Sequence, residues 1–123
     1  MSLRSVIVVS CFIAFDILTG LIGAIKSGTY KSTKMREGLF HKLGEYFAVA
    51  FAYGCEYSFP YVGITVNIPI CTSVVVYIVI METGSIVENI GIISPDLKKI
   101  LGKTFGDYKN EEEPEEKGKH EKH

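Results

Sequence analysis

Three apolar stretches divide the first 93 residues, and the polar positions within each recur at helical spacing. The first, residues 5–25, reads SVIVVSCFIAFDILTGLIGAI and holds a single charge, Asp16. A helix of that length spans about 30 Å, the thickness of a bilayer's hydrocarbon core. Asp16, Thr19, Gly20, Gly23, Ala24 and Ser27 follow i, i+3, i+4, i+7, i+8 and i+11, so they form one stripe while Val, Ile, Phe and Leu cover the remainder. Gly20 with Ala24, and Gly23 with Ser27, are small-xxx-small pairs that let a second helix backbone come close. The second stretch, residues 43–62, places Glu45, Ala48, Ala52 and Glu56 on one stripe and crowds Tyr53, Tyr57, Phe59 and Tyr61 toward its end. Such rings favour the headgroup boundary. The third, residues 68–93, begins with β-branched residues that read as a strand in isolation. Beside two similar stretches it is predicted to be a third membrane helix, with Glu82, Ser85 and Asn89 on one face and Glu88 a turn from Ser85.

The connections assign an orientation. Lys26, Lys31, Lys34, Arg36 and Lys42 lie between the first two stretches, in a segment predicted to be a basic cytoplasmic loop whose Met35, Leu39, Phe40 and Leu43 lead into the next helix. The link from Pro60 to Pro69 is uncharged, with Gly63 and Asn67 between the prolines. Ser94, Pro95 and Asp96 form a stop and restart for a short helix over 94–106, in which Leu97, Ile100, Leu101 and Phe105 oppose Lys98, Lys99 and Lys103. Residues 107–123 are almost wholly charged and polar and are predicted to be disordered. The expected architecture is an all-α membrane protein with a transmembrane domain over 1–93. Its three transmembrane helices put the N-terminus outside and the C-terminus in the cytoplasm, followed by a short surface helix and a charged tail. No cleavage of the first stretch as a signal peptide is expected, because it is long, interrupted by Asp16 and lacks a clean small-x-small site.

Composition adds little beyond this. The net charge of −1 conceals six acids and six bases in residues 1–93 against eight and seven in the last thirty. The lysines form a juxtamembrane cluster without interleaved aromatics, so no nucleic-acid partner is expected. Cys11, Cys55 and Cys71 stand singly in apolar stretches and are expected to be reduced; His120 and His123 are read as tail residues rather than ligands. No metal, cofactor or catalytic residue is assigned, since there is no phosphate loop, G-x-S-x-G or H-E-x-x-H. An enzyme is not expected.

The intramembrane acids demand explanation. A carboxylate at mid-bilayer costs at least about 2.5–3.5 kcal/mol, and no Lys or Arg falls within the three predicted spans. Asp16 and Glu82 are expected at similar depth and Glu56 nearer the outer surface. The candidate pore-lining set is Asp16, Thr19, Glu56, Glu82, Ser85, Glu88 and Asn89, and the candidate packing set is Gly20, Gly23, Ala24, Ala48 and Ala52. Three readings of the acids stay open: hydrogen bonds between helices, the lining of a water-filled opening in an assembled state, or a proton or cation path in a small transporter.

The stretches FDILTGLIGAIKSG (from Phe12), STKMREGLFHK (from Ser32) and METGSIVENIGIISPDLKKIL (from Met81) resemble the bacteriophage holins of the toxin-secretion and phage-lysis family. The resemblance runs from Phe12 to Leu101 and is carried by Asp16, Thr19 and Gly20, by Arg36, Glu37, Gly38 and Leu39, and by Glu82, Ser85, Ile86, Glu88, Asn89, Gly91 and Pro95. It implies a multi-pass protein of the bacterial cytoplasmic membrane that self-associates among lipids and opens lesions at a set time. A cell-wall hydrolase (endolysin) escapes through them without direct contact being implied, and relatives are thought to assist release of large toxins. The tail beyond Asp107 is more acidic than the family leads one to expect. A small ion- or proton-coupled transporter and a structural subunit of a larger complex are the alternatives; neither would both arrest growth when expressed alone and lyse cells when a hydrolase is added.

Overall fold

The computed structural model, described here for residues 3–105, is helical apart from its connections: α1 (Leu3–Ser27), α2 (Ser32–Ser58), a 3₁₀ turn (Phe59–Val62), α3 (Ile70–Ile93) and α4 (Pro95–Phe105). The tail predicted to be disordered lies outside the described residues.

Glycine closes two of these elements. At the end of α1, Gly28 takes a φ of 69°, a left-handed conformation that costs glycine nothing, and the N–H of Thr29 reaches back to the Ala24 carbonyl at 2.9 Å. The chain then turns into α2 within a few residues. Gly63, at φ 76°, ends the 3₁₀ turn in the same way, with Ile64 N–H on the Phe59 carbonyl at 2.9 Å.

α3 is the helix on which the others pack: α1, α2 and α4 all lie against it. Asp16 meets Asn89, and Lys26 meets Ile93, so α1 and α3 ascend together. Lys42 meets Glu82, and Glu56 meets Cys71, so α2 runs antiparallel to α3. The buried apolar core is small, comprising Val9 and Ile13 of α1, Val49 and Ala52 of α2, and Cys71, Ile78 and Ile86 of α3. Most large apolar side chains point outward instead, among them Phe15, Leu18, Phe47, Phe51, Tyr77 and Ile80. Both α1 and α3 are long and apolar enough to cross a membrane. Only 22% of the apolar window of each is buried within the protein, whereas a core helix of a water-soluble domain would be mostly covered.

Two expectations are corrected. The segment expected to be a basic loop is mostly helix: α2 begins at Ser32, eleven residues before the predicted start at Leu43, so Lys34, Arg36 and Lys42 project from its first turns. No proline lies between Ser32 and Leu43, a single glycine, Gly38, is tolerated within the helix, and the lysines, arginine and glutamate there are good helix formers. α2 consequently carries charge along its length and does not have the apolar character of α1 and α3. The buried stripe of α2 runs through Glu45, Val49 and Ala52, which leaves Ala48 exposed rather than at a helix contact. The small residues of α1 are used within the chain. A Cβ at Gly20 would lie 3.3 Å from Asn89 Nδ2, and one at Gly23 would lie 3.5 Å from Ile92 Cγ2, so α3 supplies the close neighbour that their spacing anticipates.

Gly20→Leu should therefore wedge α1 from α3 and lower stability by about 1–3 kcal/mol. Gly44→Ala, at a helical position with nothing within 4 Å of an added Cβ, should be neutral or stabilising by up to about 1 kcal/mol. Thermal unfolding in detergent, followed by circular dichroism, reads both.

Candidate functional site

The site is a polar seam where α1, α2 and α3 face one another. Asp16 and Thr19 enter it from α1, Lys42 and Glu45 from α2, and Glu82 and Asn89 from α3. Glu82 is among the most completely buried side chains, at 1% exposure, and Asp16, Thr19 and Glu45 are buried with it. The Lys42 ammonium donates to Asp16 Oδ2 at 2.5 Å and to both Glu82 oxygens at 2.6 Å, which places one charge on each of the three helices. Asn89 completes the arrangement from the other side. Its Nδ2 donates to Asp16 Oδ1 at 2.9 Å and to Thr19 Oγ1 at 3.2 Å, while Thr19 Oγ1 itself donates to the Phe15 carbonyl at 2.8 Å.

The electrostatics follow from the surroundings. A buried carboxylate is tolerated only when paired and hydrogen-bonded, and Asp16 and Glu82 are both. The absence of a cation in the predicted spans is thus made good from outside them: Lys42, one residue before the predicted second span, reaches both acids. Glu45 extends the cluster. His41 Nε2 lies 3.2 Å from its Oε1, whereas its Oε2 is buried with no hydrogen-bond partner among the described residues. Glu45 also adjoins the Glu82 carboxyl.

The remaining candidates are distributed differently. Glu56 lies toward the opposite end of the bundle, where its Oε2 accepts the Cys71 backbone N–H at 2.8 Å and so caps the start of α3, an end with unsatisfied donors and a positive dipole. Ser85 and Glu88 line a cleft between α1 and α2 next to the seam, and Glu88 is largely exposed. Ala24 is partly buried. Lys26 does not lie in a loop but ends α1, where its Nζ donates to the Ile93 and Ile92 carbonyls at 2.6 and 3.2 Å and caps the C-terminus of α3. Among the described residues, no group of three or more His, Cys, Asp and Glu could hold a metal ion.

Sequence reasoning missed the roles of Lys42 and Glu45. The signal was available once α2 is extended backward, because Lys42, Glu45, Val49, Ala52 and Glu56 fall at i, i+3, i+7, i+10 and i+14 along one helical stripe.

Comparison with known proteins agrees with the resemblance. The family model of the bacteriophage holin family matches residues 3–110, nearly the whole chain, and the chain belongs to that family. Neither a curated protein nor a solved structure matches it.

Removing the ammonium should cost far more than removing the whole cluster. Lys42→Met leaves two buried carboxylates uncompensated and should destabilise the protein by about 3–5 kcal/mol, while Lys42→Met combined with Asp16→Asn and Glu82→Gln should recover most of that loss. Unfolding of the single and triple variants in detergent micelles makes the comparison.

Proposed function

We propose that this member of the bacteriophage holin family acts as a holin in the bacterial cytoplasmic membrane, where copies associate and open lesions that release a cell-wall hydrolase at a set time. The observation that carries the reading is the charged seam of Asp16, Lys42 and Glu82 enclosed by helices whose outer faces are apolar. Such an object is stable in lipid as a closed unit, yet it contains enough polar surface to face water if the helices separate. Association of many copies would give the separated state partners it lacks as a single chain, which makes protomer concentration the natural trigger.

The parallel arrangement of α1 and α3 supports a third crossing. Two helices that cross in the same direction and touch along their length require the intervening chain to return across the bilayer, and α2 with its 3₁₀ turn is that chain. α2 carries too much charge to insert alone; Lys42 and Glu45 enter the membrane paired with acids and a histidine of the bundle. On this reading the N-terminus and the Gly63–Pro69 link lie outside, and Lys31, Lys34, Lys98 and Lys99 lie on the cytoplasmic side, as their positive charge favours. Export of a large toxin in place of a hydrolase uses the same lesion.

Inducible expression in a bacterium, with and without a co-expressed hydrolase, is the test. The holin reading requires abrupt growth arrest by the protein alone and lysis only with the enzyme. Growth that continues unarrested, or saturable ion transport in sealed vesicles without enzyme release, overturns it. Asp16→Asn removes one of the two charged partners of Lys42 and should bring lysis forward at equal protein level, whereas Cys11→Ser, at an exposed position, should leave its onset unchanged. Equal onset for both would remove the seam from timing.

A further inference from the structure

α1 and α2 both pack on α3 rather than closely on one another, and near the end of α1 a cleft of about 340 Å³ opens between them. Its character changes with depth. Lys31, Lys34 and Tyr30 stand at the mouth, where α1 has ended and α2 begins. Farther in, Ile17 and Leu21 of α1 face Leu39 of α2, and Lys42 of the seam lies at the bottom. Lys34 and Lys42 are eight residues apart on one helix, so the mouth and the bottom are separated by about 12 Å, enough to reach from the headgroup layer into the hydrocarbon.

The two mouth lysines differ from the one below. Lys42 is held by Asp16 and Glu82, whereas neither Lys31 nor Lys34 makes an ion pair with another described residue. A cleft with cations at its rim and apolar walls beneath is poorly filled by water alone, which would wet Ile17, Leu21 and Leu39, and poorly filled by a plain acyl chain, which leaves the rim charge unanswered. We infer that it holds an anionic phospholipid, with the phosphate diester between Lys31 and Lys34 and the first methylenes of the chains between the two helices. Ser85, on the α3 side of the cleft, offers an oxygen acceptor to a hydroxyl of a glycerol head group. The bound lipid fills the gap between α1 and α2 and so buttresses the Asp16–Lys42 contact from the open side. The inference rests on the chain's membrane character but not on lesion formation, and its test does not use lysis.

The full-length protein in dodecyl maltoside is titrated with dioctanoyl phosphatidylglycerol, dioctanoyl phosphatidylcholine and glycerol 3-phosphate, with binding read by native mass spectrometry and by thermal shift. Phosphatidylglycerol should bind about tenfold or more tightly than phosphatidylcholine, and Lys31→Gln with Lys34→Gln should remove most of that preference. Leu39→Trp, which fills the cleft while keeping every lysine, should weaken the lipid as well, while Lys98→Gln with Lys99→Gln on α4 should change its affinity less than about twofold. Equal binding of both lipids overturns the proposal. So does glycerol 3-phosphate binding as tightly as the lipid, which would mark a free-phosphate site, or an equal loss from the α4 pair, which would mark diffuse surface charge.

Discussion

A largely buried ammonium ion held by carboxylates from two other helices is the interaction on which the rest of this structure depends. Taking each of those charges out of water costs several kcal/mol, and the cost is offset only if every partner arrives in good geometry. Here the partners arrive on separate helices: Asp16 on α1, Lys42 on α2 and Glu82 on α3. No two of the helices can bury their polar stripes without the third. In a protein whose apolar core is small and whose outer surface is mostly hydrocarbon, this makes the polar seam, rather than oil-like packing, the element that specifies how the helices meet.

Other features serve the same end. Gly20 and Gly23 bring the backbone of α1 close enough for Asn89 to reach Asp16 and Thr19. Lys26 of α1 holds the last carbonyls of α3, and Glu56 of α2 holds the Cys71 N–H at its other end, so α3 is pinned at both termini by neighbours that run along it in opposite directions. α4 packs back over α3, where a Cβ at Gly91 would stand 3.0 Å from the Lys98 side chain; the lysine's methylenes therefore lie directly on the helix backbone. The closed form is well specified, and the energy that specifies it is concentrated in groups that water could also satisfy. The proposed function needs that combination, because it requires polar surfaces that are hidden in the closed unit and usable when the helices separate.

Much of this was legible in the chain. The helical stripe from Asp16 to Ser27, the break at Ser94 and Pro95, and the polar face of Glu82, Ser85 and Asn89 are local patterns, and local patterns survive folding. What escaped was the partner of the acids. Hydropathy treats Lys42 as the end of a loop, since a lysine at an apolar boundary ordinarily marks the edge of a span, and only the register of a helix that starts at Ser32 turns it inward. Ala48 was misplaced for a related reason: choosing between Ala48 and Val49 for the buried face takes the rotation of α2, which Lys42 and Glu45 set. Gly20 and Gly23 face α3 of the same chain, and spacing alone does not say whether the second helix belongs to the same chain or to another.

The state of the Lys42 ammonium in the folded protein tests this account most directly. Nitrogen-15 NMR of lysine-labelled protein in micelles should resolve a Lys42 –NH₃⁺ signal that exchanges slowly with water and shows through-space contacts to the side chains of Asp16 and Glu82. A Lys42 signal that exchanges as fast as that of Lys31, with no contact to either acid, would contradict it.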